Sequence, residues 1–182
     1  MHRPINYRNL LLATGHQYRI LSLYMEKVTA TDVPQKPPRK AAQRKPRAHK
    51  HKLELRQLRA DDYPFVREIS EKVYQNVGGA WRHEQFISML VRFPEGQLCI
   101  EDKGRVIACA LSLIVSYDKY GDLHTYEKIT DTGFITNHEK DGDTLYGVDV
   151  FVDPEFRGLR LGRRLYDARK ELCQSLNLKR IV

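Results

Sequence analysis

Residues 148–172 read VDVFVDPEFRGLRLGRRLYDARKEL, and this stretch decides the fold. The β-branched and aromatic run 148–152 reads as a strand. It stops before Pro154, which has no N–H to lend to a sheet. A loop with Gly158 and Gly162 follows, and Leu161, Leu165, Ala168, Leu172 and Leu176 then recur at helical spacing on one apolar face. A strand, a glycine loop and a helix in this order can cradle an anion. Glycines let backbone N–H groups approach a ligand, and the helix start adds partial positive charge. Arg157, Arg160, Arg163 and Arg164 add formal charge, and a pyrophosphate suits the pattern best. The same residues also read as a plain strand-to-helix turn with solvated arginines. The segment lacks both the G-x-x-x-x-G-K-[ST] of a P-loop and the G-x-G-x-x-G of a dinucleotide fold.

Upstream, 145–152 is strongly apolar, and 106–115 is almost continuously so, which predicts a strand covered on both faces. Asp102-Lys103-Gly104 is a turn between that strand and a shorter one at 97–101. A helix is predicted to start at an Asp61 N-cap, with Pro64 in its first turn and Val66, Ile69 and Val73 on one face, and to stop at Gly78-Gly79. A second helix spans 81–92 with Phe86, Leu90 and Phe93 as its stripe, and Trp81 is packing at its start. Leu53, Leu55 and Leu58 mark a first strand. Between the two apolar strands lies a long polar insertion, 116–143, with seven acids, three lysines and four interleaved aromatics, Tyr117, Tyr120, Tyr126 and Phe134. A connection of that length is usually functional or mobile.

The chain has 182 residues, 41% hydrophobic and 30% charged, which fits one globular domain. Its net charge of +8 is local: segment 33–52 holds eight Lys and Arg and no acid, and the other 162 residues balance at 23 against 23. That segment also has four prolines and no apolar periodicity, so it reads as a disordered basic tail. It is either a solubilising linker or a salt-sensitive contact for nucleic acid or anionic lipid. Residues 1–32 read as an unstructured extension. The first 25 contain no acid and three arginines, a composition shared with transit peptides, and Met25 is an alternative start. No run approaches the roughly 18 apolar residues of a membrane span. Three cysteines (Cys99, Cys109, Cys173) without C-x-x-C spacing suit a reducing, cytoplasmic setting, with no disulfide framework and no metal site.

The stretch 157–162, preceded by Val152-Asp153-Pro154, resembles the [QR]-x-x-G-x-[GA] signature of the GNAT (Gcn5-related) N-acetyltransferases. One position departs: the central glycine is Arg160, whose side chain could contact phosphate directly. The element order from Leu53 onward resembles that family too. The resemblance implies an α/β (α+β) domain over 53–182, a mixed central sheet flanked by helices. It implies acetyl-CoA as co-substrate. The backbone of Val150, Phe151 and Val152 would pair with its pantetheine arm, and Arg157, Gly158, Leu159, Arg160, Leu161, Gly162 and Arg163 would hold its pyrophosphate. The wording of 148–172, with the acidic insertion before it, looks most like the acetyltransferase half of proteins fused to a carbon–nitrogen hydrolase (nitrilase-like) domain. Against the family pattern the chain stops early, at Ile181-Val182, and a fused C-terminal domain is expected.

The implied chemistry is acyl transfer to a primary amine. The amine must be neutral, although its own pKa is near 10.4, so a carboxylate is needed to take its proton. Asp149 is the candidate catalytic base: it stands within an apolar run, and alternation puts it on the face of Phe151. There it is either hydrogen-bonded or carries a raised pKa. His124, His138 and Glu139 either line an acceptor pocket or are solvated loop residues. The insertion's charge of −4 either attracts a cationic amine or marks a wet loop. Cys99 and Cys109 read as core rather than nucleophiles. Three functions are weighed: an N-acetyltransferase for a small-molecule or peptide amine, a non-catalytic CoA-binding or regulatory module, and nucleic-acid binding through the tail.

Overall fold

The computed structural model describes residues 50–75 and 79–182. The expectations for 1–32 and for the tail up to residue 49 lie outside the described residues. Strands β1 (Leu53–Gln57), β2 (Leu98–Asp102), β3 (Arg105–Val115), β4 (Thr144–Val152) and β5 (Arg180–Ile181) form one sheet in that order. The first four are antiparallel, and β5 runs parallel to β4. Helices α1 (Tyr63–Val73) and α2 (His83–Arg92) cover one face, and α4 (Leu161–Ser175) covers the other; a short α3 (Tyr126–Thr130) lies in the insertion.

The alternation along β2 and β3 explains the layering. Cys99, Cys109, Leu111, Leu113 and Val115 pack with Val66, Ile69, Phe86 and Met89 of α1 and α2. Leu98, Ile100, Ala108 and Ala110 pack with Leu161, Leu165 and Ala168 of α4. All eleven residues of β3 but Arg105 are buried, as the continuous apolar run predicts for a strand covered on both sides.

Three local expectations are corrected. Helix α1 ends at Val73, before the glycine pair, where the N–H of Tyr74 closes on the Ser70 carbonyl. Asp61 does not cap it: Asp62 precedes the helix, and its carboxylate is bound by the Arg56 guanidinium (2.7 and 2.9 Å) and the Arg59 N–H (2.7 Å). In α2 the buried residues are Phe86 and Met89, whereas Leu90 is only half-buried.

The insertion is built into the core rather than laid over it. Ile129 and Ile135 are fully buried. Thr125 caps α3 through its hydroxyl, which accepts from the Lys128 N–H.

Candidate functional site

Strand β4 breaks its register with β3 at one point. Leu111 opposes Asp149 and Ser112 opposes Gly147, which leaves Val148 as the extra residue of a β-bulge. Before the bulge β4 is bonded to the chain after β5: the Gly147 N–H donates to the Val182 carbonyl and the Val182 N–H to the Leu145 carbonyl. From Val148 to Val152 no strand lies on that side among the described residues. The buried Arg169 of α4 sits behind this point. It donates to the Ser112 hydroxyl and the Val182 carbonyl, and a side chain at Gly147 would meet its guanidinium at 2.8 Å.

Asp149 follows the bulge, on the face of α1 and α2, as alternation with Phe151 predicts. Both of its oxygens are engaged. The Tyr74 hydroxyl donates to Oδ1 at 2.6 Å and the Trp81 indole N–H donates to Oδ2 at 3.0 Å. Two donors facing one carboxyl suit its ionised form, which only accepts. Burial pushes the Asp149 carboxyl above the usual carboxylate range; the hydrogen bonds from Tyr74, Trp81 and the Val150 N–H oppose that rise without cancelling it. Trp81 is therefore more than packing at a helix start. One signal could have indicated this: a buried indole N–H usually has an acceptor.

Downstream, the exit from β4 is pinned. Asp153 is fully buried; its Oδ1 accepts from the Glu155 N–H at 3.0 Å, and its Oδ2 meets Lys72 of α1 (3.4 Å) and Arg105 of β3 (3.3 Å). A 3-10 turn, Pro154–Phe156, leads into the loop, where Gly158 has φ +89°. Arg160 itself adopts the left-handed conformation, φ +57° and ψ +31°, immediately before α4. So the turn that glycine makes easily is kept here by an arginine, at a strain of about 1 kcal/mol. The first amide bonded within α4 is that of Arg164, onto the Arg160 carbonyl. The amides of Leu161, Gly162 and Arg163 therefore lack an intrahelical acceptor. A Cβ at Gly158 or at Gly162 would meet nothing within 4 Å. Protein packing does not require glycine at 162, and a helix gains from alanine there. Arg157, Arg160, Arg163 and Arg164 are all exposed around this open ground. The donor set and the free space fit a pyrophosphate.

The other candidates scatter. His124 is buried among Tyr117, Tyr120 and Tyr146. Its Nδ1 donates to the Gly121 carbonyl, and its Nε2 is hydrogen-bonded to the Tyr146 hydroxyl (3.1 Å). His138 stacks on Phe93, its Nδ1 accepts from the Ile114 N–H, and burial lowers its pKa. Glu139 is held by Ser116 and Lys119. None of the three contacts Asp149. Cys99 and Cys109 face each other across β2 and β3, fully buried; burial pushes the Cys99 thiol up to about 12 and the Cys109 thiol well above its ordinary value. Neither suits a nucleophile.

Comparison with known proteins gives these features a family. The model of the acetyltransferase (GNAT) family matches residues 52–182. A "probable hydrolase YhcX" of Bacillus subtilis (strain 168) is 40% identical over 131 residues, 72% of this chain and 25% of that protein. An "uncharacterized N-acetyltransferase YkwB" of the same organism is 39% identical over 102 residues, 56% of this chain and 45% of that protein. The chain thus spans less than half the length of either relative. Among solved structures, the loading GNATL domain of CurA from Lyngbya majuscula aligns with a TM-score of 0.56 at 16% identity, covering 66% of this chain and 58% of that one. A GphF GNAT-like decarboxylase in complex with isobutyryl-CoA aligns at 0.51 and 13% identity, covering 68% and 58%. These structures speak to the fold. Among the described residues no helix is long and apolar enough to cross a membrane. With 131 residues under one family model and the signature loop at the N-terminus of α4, this chain belongs to the GNAT acetyltransferase family.

Proposed function

We propose that the domain transfers an acetyl group from acetyl-CoA to the amino group of a small molecule or a peptide, with Asp149 as the base. The observation that carries this reading is that one strand, β4, bears a bulge with a buried carboxylate beside it and runs directly into an open, arginine-rimmed helix N-terminus. Bound acetyl-CoA supplies an acyl group activated as a thioester. The amides of Leu161, Gly162 and Arg163, with Gly158 and Leu159 in the loop and the side chains of Arg157, Arg160 and Arg163, hold its pyrophosphate. The backbone of Val150, Phe151 and Val152 pairs with the pantetheine arm. Asp149 accepts the proton of the incoming amine, directly or through one water, and its raised pKa brings it nearer the operating pH of a general base. The solved GphF complex supports an acyl-CoA ligand on this fold. Buried, reduced thiols suit a cytoplasmic protein. The name of the longer YhcX relative supports a setting in which the domain is joined to a hydrolase domain.

The test is a thermal melt of the 182-residue chain with and without acetyl-CoA, followed by CoA thiol release with primary amines and short peptides. An upward shift with ligand and thiol release that Asp149→Asn abolishes support the reading. A melt that ignores acetyl-CoA overturns it. Binding with no release from any amine would favour a CoA-binding module instead.

A further inference from the structure

The insertion reaches Asp149 through the side chain of Trp81. Trp81 is held at four points. Its backbone N–H donates to the Ser70 hydroxyl of α1, and its carbonyl accepts from the Tyr63 hydroxyl. Its indole N–H is on Asp149 Oδ2. The far edge of the ring lies against Gly133, where a Cβ would come within 2.8 Å of Cζ3 and 3.3 Å of Cη2. Gly133 has φ +88°, so the position rejects a side chain both by space and by backbone conformation. The turn carrying it is tied to α2: Gln85 donates to the Thr132 carbonyl (2.8 Å), the Ser88 hydroxyl to the Phe134 carbonyl (2.6 Å), and the Arg82 guanidinium covers the Phe134 ring.

We infer that Gly133 and Trp81 are positioning residues: the insertion's turn presses the indole into place and so keeps its N–H on Asp149, making the carboxylate's orientation depend on the insertion. This deepens the reading of Asp149 as base and rests on it. The titratable groups facing Asp149 among the described residues are few. Tyr74 donates from the end of α1, and the buried Cys109 thiol of β3 feels its charge. The sign of the effect follows. The indole donor favours the charged carboxylate, so withdrawing it raises the pKa of Asp149.

The chain has one tryptophan, and it is Trp81. Its fluorescence therefore reports on the partner directly. In a pH titration of the 182-residue chain we expect an inflection that disappears in Asp149→Asn. Gly133→Ala displaces the ring, so its inflection moves to higher pH with reduced amplitude, and the acid limb of the thiol-release rate moves the same way. Gln85→Ala leaves Trp81 itself unsubstituted but cuts the bond to the Thr132 carbonyl, along with the cap that its Oε1 makes on the Arg82 N–H, and should give a smaller shift in the same direction, even if Gly133→Ala fails to fold. Wild-type midpoints in Gln85→Ala and in a folded Gly133→Ala would overturn the inference, as would a wild-type inflection that survives in Asp149→Asn. The two readings fail separately. Full thiol release by Asp149→Asn removes the base assignment and leaves the positioning intact. Loss of release in Asp149→Asn with unmoved midpoints in the turn variants does the reverse.

Discussion

The two ends of the candidate site, both fed by β4, are built in opposite ways. At Asp149 each carboxylate oxygen already has a protein donor, and the donors are themselves braced by α1, α2 and the insertion. At the start of α4, amides lack acceptors, glycines face empty space and arginines stand exposed. At the first end the polar groups are already paired; at the second, in the proposed reading, the pyrophosphate would pair them. Orientation of a reacting group costs least when the fold has settled it in advance. Affinity for an anion is gained most where donors are still unpaired.

The contrast can be broken at its strongest point first. Asp149→Asn should lower thiol release about 10²- to 10⁴-fold, the usual range for a general base, while the acetyl-CoA-dependent melt shift persists. A comparable loss of acetyl-CoA binding would mean that the two ends are not separate. Next in size is the frame that carries both. Leu165 is fully buried beneath the loop, so Leu165→Ala should cost about 2–5 kcal/mol of stability in denaturant unfolding.

The Arg56–Asp62 pair offers a control away from the site. Both side chains are largely buried, and Glu101 would still hold the Arg56 Nε at 2.8 Å, so Asp62→Asn should cost about 2 kcal/mol at pH 7. Burial alone would raise the Asp62 carboxyl; the bonds from Arg56 and the Arg59 N–H outweigh it and hold the pKa below the ordinary value. Such a group stabilises the fold above the unfolded pKa, and the gain is lost as pH falls through the folded one. Wild type and variant should therefore begin to converge as pH falls below about 4, the region of an unperturbed aspartate, and meet only below the lowered folded-state pKa of Asp62.

The smallest changes sharpen the cradle. Gly162→Ala should leave the fold as stable or raise it by about 1 kcal/mol, since nothing opposes a Cβ there and alanine favours helix. It should nonetheless weaken acetyl-CoA binding. Arg160→Gly relieves a left-handed arginine and should shift stability by less than about 1 kcal/mol, upward. Calorimetric titration with acetyl-CoA measures the binding loss, and denaturant unfolding measures the two stability changes.

Much of this was legible in the sequence because it is periodic or local. The ten buried residues of β3 follow from an unbroken apolar run, and the strand–loop–helix of 148–172 follows from proline, glycine and a leucine stripe. The face of Asp149 followed from alternation with Phe151, because both lie on the same side of the bulge. What stayed hidden was long-range. Trp81 and Asp149 are 68 positions apart, and no spacing rule joins them. Gly78-Gly79 is a strong stop signal in the sequence, yet α1 yields earlier, at Tyr74, whose side chain is committed to Asp149. For His124 the sequence offers a pocket lining or a solvated loop but not its burial, because the tyrosines that bury it come from both the insertion and β4.

The buried cysteines have a practical consequence for enzymology. Cys99 and Cys109 are fully buried, Cys173 is nearly so, and burial raises all three thiols. Almost none of any of them exists as thiolate at neutral pH, and thiolate is the form that disulfide dyes consume. A colorimetric assay for released CoA should therefore run on this protein with a flat enzyme blank. A blank that climbs would signal that α4 or the sheet beneath it has opened, so the same cuvette that counts turnovers also audits the fold.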